Sequence, residues 1–422
     1  MLNRRIHLAP SGVHKPPRRS VAIPQNKSLR NSERQMTKKH FDRRFAVGAA
    51  VVCSALLSMT AGAASSSSRD NDKRNQSRPH YTLAKPMTLL DEGTFFIGGE
   101  QAHSDFPSST PTGLNAPGTY VINQMFVHYR IPATGSKKLP IIMVHGSNHT
   151  GNTYETTPDG REGWATYFVR HGYPVYVVDQ AGRGRSGFNP TAVNQAIAQN
   201  NLASIPAAGF QLYPREGAWV NFLFGPAYGQ AWPDQRFPLQ AMDQYQSQLV
   251  PNTEVTLNGG TANTTNALAL LLDKVGPAIL IVHSQSGVLG LGAVVKRPNL
   301  VKGLISVEGG CTPVADADIK NAFSKVPYLS FWGDHSVGAV GANGDDRRQG
   351  CQATVASFKQ AGGNAQFLLL PDLGIKGNSH MLMMDNNNLE LADILQTWIV
   401  RNVDRDRHFP CNCGPHRVGA CW

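Results

Sequence analysis

The stretch that decides the fold is Ala278-Ile279-Leu280-Ile281-Val282-His283, followed by Ser284-Gln285-Ser286 and then Gly287-Val288-Leu289-Gly290. An unbroken apolar run of this kind suits a strand buried on both faces of a parallel sheet. The glycine-rich run after it reads as the start of a helix over Gly287–Lys296. A serine at the tight turn between a buried strand and a helix is held with its hydroxyl exposed, the setting a nucleophile needs. Small residues are wanted two positions before and after it, so that helix and strand can approach. Those positions here are Val282 and Ser286, and Val282 is larger than the glycine usual there. A shifted register would make Ser286 the nucleophile, flanked by Ser284 and Val288. Ser284 is preferred because it falls directly at the strand end.

Outward from this point the same alternation repeats. Strands are expected at Gly93–Gly98, Gly118–Ile131, Leu139–Val144, Pro174–Asp179 and Ala278–His283. Three more follow at Val301–Glu308, Pro327–Trp332 and Ala365–Leu370. Helices are expected at Gly163–His171, Thr265–Lys274, Gly287–Lys296, Asp345–Gln360 and Asn388–Val403. Strands alternating with helices predict an α/β fold, a mainly parallel, doubly wound sheet. The alternation breaks once, between Gly187 and about Thr261. This segment is rich in Pro, Gln, Asn and aromatics: Phe210, Tyr213, Trp219, Phe222, Phe224, Tyr228, Trp232, Phe237 and Tyr245. A direct crossover needs far fewer residues, so about 188–261 reads as an inserted cap over the C-terminal edge of the sheet. Its aromatics would either face an apolar ligand or fill the cap's own core.

A nucleophilic serine needs a base, an acid and oxyanion donors. His145-Gly146-Ser147 follows the third strand, where a loop can aim a backbone N–H at a developing oxyanion. The expected donors are the amides of Ser147 and Gln285. His145 and His283 read as structural histidines. The base is expected after the last strand, which points to His380, beyond the glycine-rich loop Asp372–Asn378. Two acids are open. Glu308 ends the sixth strand, and Asp334 follows the seventh; the loser should be a carboxylate that bonds loop amides. The run Asp179-Gln180-Ala181-Gly182-Arg183-Gly184-Arg185-Ser186-Gly187 reads as scaffold for the cleft wall, or as an arginine facing a substrate carboxylate. No phosphate-binding loop, zinc helix or calcium loop motif occurs, so no cofactor and no metal are expected.

The chain has 422 residues, and its net charge of +11 looks at first like a nucleic-acid signal. The distribution excludes that: residues 1–64 hold 12 basic and 2 acidic side chains, whereas the rest hold 28 and 27. A nearly neutral body has no electrostatic reason to seek phosphate. The basic excess belongs to a leader. Lys38, Lys39, Arg43 and Arg44 precede an apolar run from Phe45 to about Met59, with Ala61-Gly62-Ala63-Ala64 as cleavage candidates. The true start is expected near Met36. The apolar run is too short for a stable membrane span, and a polar linker over 65–87 follows. A secreted or periplasmic protein is expected, in an oxidising compartment. Beyond the leader stand Cys311, Cys351, Cys411, Cys413 and Cys421. Cys311 and Cys351 both fall in the core domain, 88–403, and are expected to pair. The tail, 404–422, reads as disulfide-clamped or disordered rather than as a zinc site.

Several runs together carry a resemblance: His145-Gly146, Glu155-Thr156-Thr157-Pro158-Asp159-Gly160-Arg161, Asp179 to Ser186, Val282 to Gly287, Val307-Glu308 and Gly377-Asn378-Ser379-His380-Met381. In this order they resemble a small group of secreted bacterial carboxylesterases of the α/β-hydrolase fold, over roughly Thr88 to Val403. The resemblance implies a Ser-Glu-His triad of Ser284, Glu308 and His380, with the acid after the sixth strand, and it tips the choice from Asp334 to Glu308. It also supports the Cys311–Cys351 pairing. A member of that group carries paired cysteines after the His-Gly, where this chain has Ser147-Asn148, so no role of such cysteines carries over. The expected activity is hydrolysis of a small ester, with an apolar or aromatic group, through an acyl-enzyme. A peptidase or acyltransferase would use the same triad. A non-catalytic binding module would have lost one of its residues. A haloalkane dehalogenase would need an aspartate at position 284.

Overall fold

The computed structural model describes residues 86–404, except 106–116, 135–136, 206–209, 256, 258–259 and 340–342. The expected leader, most of the linker, and the tail with Cys411, Cys413 and Cys421 lie outside the described residues. Eight strands form one sheet: β1 (Leu89–Ser104), β2 (Gly118–Pro132), β3 (Ile141–Val144), β4 (Val175–Asp179), β5 (Ala278–His283), β6 (Val301–Val307), β7 (Tyr328–Trp332) and β8 (Ala365–Leu369). Their spatial order is β1-β2-β4-β3-β5-β6-β7-β8. β1 and β2 run antiparallel to their neighbours, and every pairing from β4 to β8 is parallel. The fold is that of the α/β hydrolases.

The main helices are α1 (Trp164–Arg170), α2 (Thr191–Ala198), α3 (Arg215–Asn221), α4 (Met242–Ser247), α5 (Ala262–Val275), α6 (Gly287–Lys296), α7 (Asp345–Gln360) and α8 (Asn388–Asn402). Successive side chains of a strand point to opposite faces. Thus Ile279 and Ile281 of β5 join the core beneath α1 and α8, while Leu280 and Val282 join the core beneath α5, α6 and α7. This is why β3 and β5 are apolar at every position up to their C-terminal ends.

One strand departs from the sequence expectation. Gly98-Gly99 reads as an end, yet β1 runs on to Ser104. Gly98 lies opposite Gln124 and Glu100 opposite Ile122, so the pairing with β2 keeps its register through the two glycines.

Between β4 and α5 the chain makes its long excursion through α2, α3 and α4. Trp219, Phe222, Phe224, Phe237 and Tyr245 are buried, and Phe224 packs on Phe237 at 4.2 Å and Tyr245 at 5.3 Å between ring centroids. These aromatics pack on one another and join the core beneath α1 and α8. Phe210 and Tyr228 are exposed. The segment is also stitched to the loop after β8. The N–H of Arg236 donates to Gly377 O at 2.7 Å, and that of Asn386 donates to Arg236 O at 2.8 Å.

Cys311 and Cys351 form a disulfide, with Cα atoms 5.3 Å apart. It fastens the loop after β6 to α7 across a sequence separation of 40 residues. Closing a loop of that length in the unfolded chain is worth about 4 kcal/mol. Replacing both cysteines by serine should therefore lower the stability measured by urea unfolding by roughly that amount. Reductant should then lower the wild type but leave the variant unchanged.

Candidate active site

The turn after β5 places Ser284 at φ +54°, a left-handed conformation uncommon outside glycine. The strain persists because neighbours fix it: the N–H of Gly310 donates to Ser284 O at 2.7 Å. Ser286 is engaged differently. Its hydroxyl accepts from the N–H of His283 and contacts Val144 O, both at 2.8 Å, and it is fully buried. It fastens the turn to β3. Val282 is accommodated because Gly290 of α6 lies opposite: a Cβ there would sit 3.0 Å from the Val282 side chain.

His380 and Glu308 come together below this turn. His380 Nδ1 lies 2.5 Å from Glu308 Oε2, and both side chains are wholly buried. Glu308 Oε1 accepts the N–H of Gly333 at 2.8 Å. Like Ser284, Glu308 has a positive φ, +43°. Asp334 faces elsewhere. Its two oxygens accept the amides of Gly377 at 2.7 Å and Asn378 at 2.9 Å, so it shapes the loop that presents His380. It shares that corner with Asp234 and His335, whose ligand-type atoms lie within 4.8 Å of its own.

His380 is held on every side but one. Its N–H donates to Phe222 O at 3.0 Å, and the Phe222 ring stacks on the imidazole at 11° between planes. His283 Nε2 lies 2.9 Å from His380 O and donates to it. Asp385 collects Ser379 Oγ at 2.6 Å, Ser379 N at 2.9 Å and Asn378 Nδ2 at 2.8 Å. Arg161 braces the same loop from beyond, donating to Met384 O and Asp385 O. His380 Nε2 is buried and has no hydrogen-bond partner among the described residues.

His145 accepts the N–H of Gln180 at Nε2 (2.9 Å), so its Nδ1 carries the proton that meets Gly146 O, also at 2.9 Å. Burial holds its pKa down at about 4, and the ring is a neutral strut. Gly146 must be glycine: a Cβ would lie 2.7 Å from Ser284 Cβ. The loop therefore packs Gly146, the residue before Ser147, directly on the turn of Ser284. Gln285 occupies the first turn after Ser284, where backbone amides lack helical acceptors. Neither arginine of the Asp179–Gly187 run is free for a ligand. Arg183 is buried against Glu254, and Arg185 forks onto Asp179 at 2.8 and 3.1 Å.

No family model matches the chain. It is 29% identical to a "Probable secreted lipase phiG" from Fungal sp. (strain ATCC 74256), across 71% of this chain and 92% of the relative. Among solved structures it is similar to a bacterial esterase known at atomic resolution, with 39% identity, a TM-score of 0.68, and coverage of 76% of this chain and 99% of that one. The chain belongs to the α/β-hydrolase esterases. It is a carboxylesterase-type hydrolase, and its substrates are small-molecule esters. Among the esterase's described residues, no helix is long and apolar enough to cross a membrane.

The electrostatics of the esterase oppose separated charge at the His380–Glu308 pair. Burial pushes Glu308 up to about 8, against the pull of the Gly333 amide and of Arg347. Burial, then Arg347, holds His380 well below the ordinary histidine value. Arg347 thus favours a carboxylate at Glu308 and a neutral imidazole at His380, the state in which Nε2 can accept a proton. It lies on α7, donates to Asn343 Oδ1 at 2.5 Å, and is itself held down at about 10 by burial. With His380 as the expected base, activity should be lost as pH falls through that depressed pKa. Arg347→Gln removes the cation, raises the pKa, and should move the acid limb of the kcat/KM profile to higher pH. A limb that stays in place or moves down would contradict this.

Sequence reading did not single out Arg347, Glu254 or Asp385, and it named Phe222 only as one of the inserted segment's aromatics. The three charged residues stand in segments with no motif, and all four roles exist only through tertiary contact. The two positive φ values are likewise invisible in the sequence, although Ser284 at a strand end hinted at one of them.

Proposed function

We propose that this esterase cleaves its substrate through an acyl-enzyme, with Ser284 as nucleophile, His380 as general base and Glu308 as the acid that orients it. The observation that carries the reading is the buried His380 Nδ1–Glu308 Oε2 contact, beside a serine on a left-handed turn. Glu308 holds the proton on Nδ1, which leaves Nε2 as the acceptor. His380 Nε2 takes the Ser284 proton while Oγ attacks the ester carbonyl. The N–H groups of Ser147 and Gln285 receive the oxyanion. The intermediate collapses as His380 returns the proton to the leaving alcohol. Water then repeats the cycle, freeing the acid and restoring Ser284. Ser286, with its hydroxyl engaged by β3 and His283, supports the register with Ser284 as nucleophile.

Asp334 is the loop carboxylate in this reading. The 188–261 segment is a cap whose aromatics pack mainly on one another, so an aromatic substrate draws no support from their number alone. Secretion is supported by the fungal relative, a probable secreted lipase, and by the Cys311–Cys351 disulfide, which suits an oxidising compartment.

A fluorophosphonate probe tests the nucleophile directly. Purified protein should form a covalent adduct, and peptide mass mapping should place it on Ser284. An adduct on Ser286, or none at all, would overturn the assignment.

A further inference from the structure

We propose that the return segment of the cap, around Asn252 and Glu254, is a positioning element for the oxyanion hole, reaching it through Arg183 and the side chain of Gln285. The proposal rests on the reading of Ser147 and Gln285 as oxyanion donors. Those two amides belong to different elements, the loop after β3 and the turn after β5. The β3–β5 pairing and the Ser286 hydroxyl on Val144 O already tie these elements together, and one short stretch of the cap adds a second grip on both.

At the β5 turn, three side chains form a closed ring. Arg183 Nε donates to Glu254 Oε2 at 2.7 Å, and its Nη2 donates to Glu254 Oε1. The same Nη2 donates to Gln285 Oε1 at 2.8 Å, and Gln285 Nε2 donates back to Glu254 Oε1 at 2.9 Å. At the β3 loop, Arg183 Nη1 donates to Gly146 O at 2.9 Å, the carbonyl of the peptide group whose N–H belongs to Ser147. Asn252 Oδ1 accepts the N–H of Asn148 at 2.8 Å, and its Nδ2 donates to Ser147 Oγ at 2.7 Å. The N–H of Val250 adds a bond to Asn148 O at 3.0 Å.

Stability alone does not explain this arrangement. The Arg183 and Glu254 side chains are 0% and 1% exposed. Burying such a pair costs desolvation that an apolar pair of the same volume would avoid. Burial pushes Glu254 up, yet the bonds from Arg183 outweigh it and keep the carboxylate ionised. What the polar ring adds is direction, because its outer bonds end on the residues that carry the two donors. Oxyanion stabilisation depends on donors already in place when charge develops, and small misplacements are costly.

The test uses the mature protein and three variants: Gln285→Ala, Asn252→Ala and Glu254→Gln. Alanine keeps the backbone N–H of residue 285 and leaves the Arg183–Glu254 pair intact, so Gln285→Ala should fold. Two inhibitors separate the states. A trifluoromethyl ketone adds Ser284 Oγ to its carbonyl, passes the proton to His380 and places an oxyanion in the hole; the matching ether cannot. Gln285→Ala and Asn252→Ala should each lower kcat and weaken the ketone by about ten- to hundredfold, with KM and ether binding unchanged. Glu254→Gln should fall in the same way or fail to fold. The proposal is overturned if Gln285→Ala and Asn252→Ala lose only melting temperature, or if ketone and ether weaken together. A wild type whose Ser284 does not react with the fluorophosphonate would instead defeat the triad reading on which this rests.

Discussion

Ser284→Ala should lower kcat for short p-nitrophenyl esters by about a millionfold while leaving the melting temperature almost unchanged. The size follows from the role proposed for the hydroxyl: without it no acyl-enzyme could form, and only substrate binding and the proposed oxyanion donors would remain. The small stability effect follows from its setting. No hydrogen bond of the described residues uses the Ser284 hydroxyl, and the left-handed backbone is held by the Gly310 amide. Ser286→Ala should behave in the opposite sense. Its hydroxyl joins β5 to β3, so its loss takes the side-chain acceptor from the buried His283 N–H, while Val144 O keeps the Tyr154 hydroxyl. That costs about 1–3 kcal/mol in urea unfolding, with much of kcat retained. Activity that survived in Ser284→Ala and vanished in Ser286→Ala would move the nucleophile by two residues.

Glu308→Gln should lower kcat by about ten-thousandfold, because an amide can present its NH₂ to Nδ1 and drive the proton to Nε2, where none can then be accepted. The fold should survive, since the amide oxygen can still accept the Gly333 N–H. Asp334→Asn removes one acceptor from the pair of amides at Gly377 and Asn378, so its main cost should be stability, about 1–3 kcal/mol. Circular dichroism and steady-state kinetics on the two variants decide between the acids. A larger fall in kcat for Asp334→Asn would reverse the proposed roles.

Much of this architecture is written locally. The runs at 141–144 and 278–283 carry the strand pattern because both their faces are buried, and Gly287–Lys296 and Asp345–Gln360 form helices over the residues their sequence suggests. What escaped is what depends on tertiary geometry. Glu308 and Asp334 each end a strand and are chemically alike. Only the positive φ of Glu308 and the direction of the 377–378 amides separate them in space. The aromatics of 188–261 announced a dense segment but not which way it faced. Arg183 read as a scaffold or a ligand-facing cation; its true partner, Glu254, lies 71 residues away in a stretch with no pattern of its own.

The stitching between the cap and the His380 loop bears on how this esterase could be re-engineered. Covers of hydrolases invite exchange, on the idea that a foreign one would bring a new range of substrates. Here Phe222 supplies both the carbonyl that anchors the His380 amide and the ring that lies against its imidazole, while Arg236 joins Gly377 to Asn386. A chimera that replaced this region wholesale would do more than exchange a cover. It would remove part of what holds His380, the proposed base, so grafts should leave the backbone around 221–224 and 235–237 in place and vary the exposed surface near Phe210 and Tyr228 instead.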